Sequence, residues 1–156
     1  VLERIEAKFG NNLTKHLSSS FSLSVDNAHA LHPNHQELSS RSSEVLLNKG
    51  VVIKHSASKS YTTDALSCSL VKLLAEKANI KVQEFTNRNN IRGASTLGKL
   101  LVSELSILSC DIGIAQLAMH SANEIAAKND VEDMVLLLKE AFQSQIKITS
   151  DSCEVK

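Results

Sequence analysis

The chain has 156 residues, a length that suits one domain with a sizeable hydrophobic core and is short for two. Lys and Arg together number 17, as do Asp and Glu, so the formal net charge is zero. The sequence also has no long run of like-charged residues. It therefore lacks the charge pattern of a protein that binds nucleic acid or an anionic membrane. No apolar stretch approaches the ~20 residues of a membrane span. We therefore expect neither nucleic acid nor a membrane as a partner.

The cysteines and the first residues bear on the location of the protein. Cys68, Cys110 and Cys153 are odd in number and show no C-x-x-C spacing, which argues against a disulfide framework and a thiolate zinc knuckle. A reduced, cytoplasmic location is therefore expected. Residues 1–10 are amphipathic and mixed in charge, unlike a signal peptide, and they begin without Met. We expect a fragment or a processed product.

The N-terminal third is predicted to contain helix, then strand, then loop. Apolar residues recur at helical spacing over 2–17, and Gly-Asn-Asn at 10–12 is expected to divide this helix into two. Apolar and polar side chains then alternate over 21–26, which predicts a half-buried strand ending on Asp26. The polar, serine-rich segment 36–49 predicts a surface loop or a flap.

The middle of the chain alternates strands with helices. Strands are predicted at 50–54, 81–86 and 107–112, although periodicity alone does not separate the last one from the apolar segment before it. Between the first two strands, Thr62 or Thr63 is predicted to cap a helix. The apolar face of that helix is predicted to consist of Leu66, Leu70, Leu73 and Leu74.

The C-terminal part is predicted to hold one more helix. It covers about 131–142 with Asn129 or Asp130 as its cap, and residues 143–156 are expected to form a polar, frayed tail. Strands that alternate with helices indicate an α/β domain in which helices cover a sheet. The domain is expected to span residues 1–142.

A histidine-rich segment is the first candidate site. Residues 26–35, DNAHALHPNH, hold one carboxylate and three histidines directly after a predicted strand. Ligands bind at that end of the strands in α/β sheets, and carboxylate oxygen and imidazole nitrogen are ligands of catalytic zinc. On composition alone, a polar loop with hydrogen-bonded histidines explains the segment equally well.

Two further segments have weaker signals. Ser121 and Glu124 form an S-x-x-E capping box, which predicts a helix with His120 at its start. A histidine that only packs beside the cap is the favoured alternative on spacing alone. The small residues over 92–98 would let backbone N–H groups approach a substrate, but the GK[ST] ending of a phosphate-binding loop is missing, and an ordinary turn is favoured.

The order of five short segments carries a family resemblance. DNAHALHPN, GVVIK, SYTTDA, NRNNIRGASTLG and DIGIAQLAMHS, taken together, resemble the aspartyl aminopeptidase and vacuolar aminopeptidase I family of dinuclear zinc aminopeptidases. The match runs from about Phe21 to Phe142. D-x-AHA-x-HPN and DIG-x-x-QLAMHS are its most specific parts.

The resemblance implies a fold and an activity. The fold is a three-layer α/β/α zinc-exopeptidase-like catalytic domain, of which this chain would be the C-terminal portion. The activity is that of a zinc-dependent metalloprotease, a hydrolase that releases N-terminal and often acidic residues from a peptide substrate. Two zinc ions per site and a homo-oligomer of the full-length protein are also implied.

The same resemblance assigns roles to individual residues. Asp26 and His120 match metal ligands, and His29, Lys54 and Tyr61 match positions that line the substrate site. His32 is expected to support a ligand rather than to bind metal itself. The general-base glutamate and the other ligands have no counterpart here, so no catalytic residue is expected in this chain. The isolated fragment is expected to have little or no activity.

Departures from the family pattern leave an alternative open. Lys59-Ser60 replaces the usual Gln-Arg before Tyr61, Asn90 stands where relatives usually have Asp, and Ala94 replaces a glycine. These changes support an alternative hypothesis, in which the protein is a degenerate, non-catalytic relative that acts as an assembly or binding module. A different zinc exopeptidase or deacylase of the same broad fold is less consistent with the AHALHPN match.

Overall fold

The computed structural model describes residues 1–10, 12–88, 90–91, 95–149 and 152–156. The helices are α1 (Leu2–Lys8), α2 (Leu13–Leu17), α3 (Ala65–Lys77), α4 (Leu97–Leu105) and α5 (Lys128–Gln143), with a short 3-10 turn at Gln36–Leu38. The strands are β1 (Phe21–Val25), β2 (Ala28–His29), β3 (Val51–His55), β4 (Val82–Thr86), β5 (Leu108–Gly113), β6 (Ala115–Leu117), β7 (Ile125–Ala126), β8 (Ile146–Ile148) and β9 (Cys153–Val155).

A mixed four-stranded sheet forms the centre, in the order β1-β5-β3-β4. β1 runs parallel to β5 and β3 runs parallel to β4, while β3 and β5 are antiparallel. β2, β6 and β7 form a smaller sheet beside it. The predicted strands at 21–26, 50–54, 81–86 and 107–112 are confirmed as β1, β3, β4 and β5. The predicted division of the first helix is also confirmed, since α1 ends at Lys8 and α2 begins at Leu13.

The central sheet is covered on both faces. Alternate residues of a strand point to opposite faces. Ile53 and Ile112 therefore pack with α3 and α5 in one apolar cluster, whereas Val52 packs on the other side with Tyr61 and Phe85. α4 lies on that second side at the β1–β5 edge, because its Gly98 meets the side chains of Ser24 and Asp111. The result is a three-layer α/β/α arrangement.

The cap of α3 differs from the prediction. Asp64 is the N-cap and forms a capping box with Ser67, whose backbone N–H donates to the Asp64 carboxylate at 2.7 Å. Thr62 or Thr63 was predicted to cap this helix, but the hydroxyls of both residues bond to β5 instead. Of the predicted apolar face, Leu70 and Leu74 are fully buried, whereas Leu73 is exposed.

The start of α5 also differs. The helix begins at Lys128, with Ala127 as N-cap. Asp130, predicted as a possible cap, is fully buried inside the first turn and accepts backbone N–H bonds from Asn48 at 2.8 Å and Gly50 at 2.9 Å. Its carboxylate therefore holds the loop before β3 rather than the end of its own helix.

The C-terminal residues are not a frayed tail. β8 and β9 form an antiparallel hairpin, and Ile146 and Val155 pack against the apolar cluster below α3 and α5. These two side chains lie directly opposite each other on the two strands, so the same face of the hairpin is turned toward the cluster. Across the residues placed by the structure, no helix is long and apolar enough to cross a membrane.

Two helices keep apolar side chains in solvent. On α4, Leu97, Leu100 and Leu101 are exposed at the spacing of one helical face. On α5, Val135 and Phe142 are exposed, the latter at 87%. Each helix therefore has an uncovered apolar face. The two faces lie on opposite sides of the central sheet, and we refer to them together as the outer apolar surface.

Candidate functional site

Asp26 lies directly after β1, where its backbone is fixed against β5. Its N–H donates to the Ile112 carbonyl at 2.9 Å, and its own carbonyl lies so close to Gly113 that a Cβ there would approach within 2.1 Å of the oxygen. Only glycine fits at that position without moving the backbone. The Asp26 side chain remains 63% exposed, so a rigid backbone presents a solvent-facing carboxylate.

Lys54 carries its charge into the interior beside Asp26. The side chain is 2% exposed, and its Nζ lies 3.3 Å from Asp26 Oδ2 and 3.3 Å from the Asn27 carbonyl. Burial lowers the pKa of Lys54, and the nearby Asp26 and Asp111 carboxylates oppose this shift. A buried lysine with a lowered pKa is a feature of functional sites more often than of ordinary cores.

Tyr61 completes this group, which we call the lysine cluster: Asp26, Lys54 and Tyr61. Lys54 Nζ lies 4.9 Å from the centre of the Tyr61 ring, within the range of a cation–π contact. Burial raises the pKa of the Tyr61 hydroxyl, and the Asp26 and Asp111 charges add to the effect. The hydroxyl therefore stays protonated at neutral pH and is able to donate a hydrogen bond.

Asp111 is a supporting residue that the sequence did not single out. Its fully buried carboxylate accepts bonds from the Thr62 N–H at 2.6 Å, the Thr62 hydroxyl at 2.8 Å and the Thr96 hydroxyl at 2.5 Å. It thereby holds the residue next to Tyr61 against β5. An aspartate inside the apolar run of β5 was the available signal, because a buried carboxylate needs several donors.

His29 lies in β2 and faces a separate cavity. The cavity has a volume of about 450 Å³ and is lined in part by His29, His32, His35, Val45, Phe85 and Leu117. His32 accepts the Asn34 N–H at 3.2 Å and its ring lies 5.1 Å from that of His35. The residues of the histidine-rich segment therefore lie at two places. Asp26 belongs to the lysine cluster, whereas the three histidines line a mostly apolar cavity.

His120 is exposed and does not start a helix. Ile125 and Ala126, inside the predicted helix, pair as β7 with β6 instead. The Glu124 carboxylate accepts the backbone N–H of His120 at 2.6 Å instead of that of Ser121, and the Ser121 hydroxyl donates to the Asn123 carbonyl at 2.9 Å. Neither bond is one of those expected of the capping box. The backbone of His120 has φ 66°, in the left-handed region, which the turn imposes.

The third predicted segment is only partly described. Residues 92–94 of the small-residue loop, including Ala94, lie outside the described residues. Thr96 and Gly98 are within them and contact the β1–β5 edge, where Gly98 donates its N–H to the Ser24 hydroxyl at 3.2 Å.

A second polar cluster was not anticipated from the sequence. His55, Cys68 and Glu84 place one potential metal-ligand atom each within 4.8 Å of one another, and this is the one such group of three in the described ranges. We call it the His55 cluster. The three residues come from β3, α3 and β4 and share no spacing signal in the sequence.

The fold and the lysine cluster define an α/β/α domain with charged groups at the carboxyl end of its β1 strand, and sequence comparison agrees with this class. The profile of the family described as "Aminopeptidase I zinc metalloprotease (M18)" matches residues 1–142. The chain therefore belongs to this M18 family.

Individual relatives give the same result. The chain is 45% identical over 133 residues to a "Probable M18 family aminopeptidase 2" of Clostridium novyi, covering 83% of this chain and 31% of the relative. It is 39% identical over 134 residues to a "Probable aspartyl aminopeptidase" of Ricinus communis, covering 84% and 27%. The chain thus spans about a third or less of the length of these relatives.

A solved structure confirms the fold. The mApe1 dodecamer of S. cerevisiae superposes with a TM-score of 0.79 at 27% identity, covering 92% of this chain and 33% of that one. The expected class, an α/β/α zinc-exopeptidase-like catalytic domain of which this chain forms a portion, is therefore confirmed.

Proposed function

We propose that this chain is part of the catalytic domain of a zinc-dependent aminopeptidase that releases N-terminal residues, acidic ones among them, from peptides. The observation that supports this most is the lysine cluster in a chain of the M18 family. A buried cation beside an exposed carboxylate costs folding free energy, and such an arrangement is retained where it binds or positions a substrate.

Asp26 and His120 are proposed as two ligands of a zinc site, which holds two ions in the intact protein. The donor chemistry fits, because an exposed carboxylate and an exposed imidazole are zinc ligands. Asp26 would hold the metal with its carboxylate, which also accepts a hydrogen bond from Lys54, and His120 would hold it with an imidazole nitrogen. When bound, zinc activates a water molecule and polarises the peptide carbonyl.

These two ligands do not form a complete site. In the part of the chain that is described, neither belongs to a group of three potential ligands within 4.8 Å of one another. A catalytic zinc site uses about three protein ligands per ion. We therefore propose that the remaining ligands and the general-base glutamate lie outside this chain, and that the chain alone has little or no activity.

Three side chains are proposed to contact the peptide. An acidic substrate side chain would compete with Asp26 for the buried ammonium of Lys54, which favours acidic N-terminal residues. The protonated hydroxyl of Tyr61 would donate a hydrogen bond to the reacting carbonyl. His29, on the wall of the neighbouring cavity, would contact the residues that follow.

The intact protein is proposed to be a cytoplasmic homo-oligomer. The outer apolar surface supports an assembly, because the exposed apolar side chains on α4 and those on α5 each favour contact with other chains. The scattered cysteines, with Cys68 and Cys110 free and buried, fit a reducing compartment.

Replacement of Asp26 by asparagine in the intact gene product tests the proposal. We expect loss of bound zinc by metal analysis and a fall in kcat of about 100-fold or more on a peptide with N-terminal Asp. Glu76→Gln, on the exposed side of α3, is the matched control and should change neither. Unchanged metal content in Asp26→Asn contradicts the ligand assignment. An intact protein with neither zinc nor turnover favours the assembly or binding module.

A further inference from the structure

Three potential metal ligands converge beside the carboxyl end of β3, on the face of the sheet opposite Lys54. His55 follows Lys54 in β3 and so points to the other side, toward α3. Cys68 comes from α3 and Glu84 from β4, the strand paired with β3. Three elements that are distant in sequence thus each supply one donor atom to the same small volume.

The distances suit one metal ion. His55 Nε2 lies 3.9 Å from Cys68 Sγ and 3.5 Å from Glu84 Oε2. Around a tetrahedral zinc ion with bonds of ~2.3 Å to sulfur and ~2.0–2.1 Å to nitrogen and oxygen, those separations are about 3.6 and 3.4 Å. Movements of a few tenths of an ångström would therefore bring these two pairs to the separations of zinc ligands, and the Cys68 sulfur and a Glu84 oxygen lie within 4.8 Å of each other.

A nucleophilic triad does not explain the same geometry. In a triad, the histidine contacts the nucleophile through one ring nitrogen and the carboxylate through the other. Here the thiol and the carboxylate both lie beside Nε2 of His55. The histidine therefore cannot pass a proton from the thiol at one nitrogen while the carboxylate holds the other. A cation placed beside Nε2 would contact all three groups.

We propose that His55, Cys68 and Glu84 bind one Zn²⁺ ion, with a water molecule as the fourth ligand. One sulfur, one nitrogen and one oxygen donor form a set that suits zinc better than the oxygen-preferring Mg²⁺ or Ca²⁺. This site is separate from the zinc site proposed at Asp26 and His120. The proposal for it does not depend on the proposed aminopeptidase function.

The surroundings allow an ion to enter and hold one ligand in place. Cys68 is buried, but the His55 and Glu84 side chains are 26% and 48% exposed, and His55 lines a polar groove of about 1030 Å³. Lys72 bonds to Oε1 of Glu84. That bond orients the carboxylate with Oε2 toward His55, as groups behind metal ligands commonly do.

Cobalt(II) titration of the purified 156-residue chain tests the site, because Co²⁺ takes the place of zinc and reports a bound thiolate by its near-ultraviolet charge-transfer absorption. We expect this band to saturate at one equivalent and to disappear when Zn²⁺ is added. His55→Ala and Glu84→Gln change partly exposed side chains and should weaken Co²⁺ binding by about 10-fold or more. Cys68→Ala should abolish the band.

The matched control is Asp26→Asn, which alters the proposed catalytic ligand on the other face and should leave the band unchanged. Thermal unfolding of each variant verifies that it is folded. A folded chain without the charge-transfer band overturns the proposal. So does a band that persists at full strength in both His55→Ala and Glu84→Gln, because the cobalt-bound thiolate would then need neither of these proposed ligands.

Discussion

The two faces of β3 place neighbouring residues in opposite electrostatic situations. On one face, Lys54 is buried with its charge against Asp26, and the interior around it is fixed by the carboxylate of Asp111. On the other face, His55 lies between a buried thiol and a half-exposed carboxylate. In the lysine cluster the buried ammonium of Lys54 is paired with Asp26, whereas in the His55 cluster the exposed ammonium of Lys72 is paired with Glu84.

The comparison shows which of the two clusters lowers the stability of the folded chain. A buried ammonium is unfavourable for folding unless its partners compensate fully, and the lowered pKa of Lys54 indicates that they do not. The His55 cluster has no comparable cost, because its most buried member is a thiol that burial keeps protonated by raising its pKa. We expect substitutions on the two faces to differ in both size and sign.

The largest effect is expected at the support of the lysine cluster. Asp111→Ala removes the acceptor of three hydrogen bonds and leaves the Thr62 and Thr96 donors unsatisfied. We expect the free energy of unfolding to fall by about 3–5 kcal/mol, measured by urea denaturation. Asp111→Asn keeps the shape and one acceptor oxygen and should cost less. A loss below about 1 kcal/mol in Asp111→Ala would show that this carboxylate does not hold the face together.

An intermediate effect of opposite sign is expected for Lys54→Met, which removes the buried charge and keeps an apolar side chain over Tyr61. We expect stability at neutral pH to rise by about 1 kcal/mol. Lys72→Met is the control, because it breaks an exposed pair on the other face and should change stability by less than about 0.5 kcal/mol.

The pH dependence sharpens the same comparison. The folded-state pKa of Lys54 is lower than its unfolded value, so between the two the unfolded chain binds more protons. Stability therefore rises with pH through that window, up to the ordinary value of 10.5. Lys54→Met should remove this rise, and an unchanged slope would contradict the assignment. The raised pKa of Tyr61 acts in the other direction above its ordinary 10.0 in both proteins and cancels in the difference.

The smallest effect concerns Glu84. The hydrogen bond from Lys72 lowers the pKa of this carboxyl below its usual 4.5, and the His55 charge adds to the shift. The contribution to stability is present above the unfolded pKa and is lost as the pH falls through the lowered folded value. Carboxyl NMR titration should show the Glu84 pKa rising in Lys72→Gln. Lys77→Gln, at the end of the same helix, should leave it unchanged.

The sheet was predictable from sequence, whereas the side-chain partners were not. Alternation and β-branched runs located β1, β3, β4 and β5, because burial of one or both faces of a strand leaves a local pattern. The caps were wrong for Thr62 and Asp130, since their oxygens bond to groups far away in the chain. The capping propensity of a residue does not indicate whether its side-chain oxygen bonds to a distant group instead of to its own helix.

The sites follow the same division. Asp26 was located correctly at the end of β1 because its position depends on a local strand. The helix after His120 was wrong because Ile125 and Ala126 pair with β6, a contact that no local pattern encodes. Neither Asp111 nor the His55 cluster was anticipated. In both cases the interacting residues come from segments that are distant in sequence, so no local pattern indicates the contact.

The outer apolar surface has a consequence for behaviour in solution. Leucines on α4 and Val135 and Phe142 on α5 keep hydrocarbon in contact with water, and salts that are excluded from protein surfaces strengthen the tendency to remove it. The isolated chain should therefore self-associate as its concentration rises, and more readily in sulfate than in chloride. The exposed faces of α4 and α5 thus also limit the concentration that this polypeptide reaches before it precipitates.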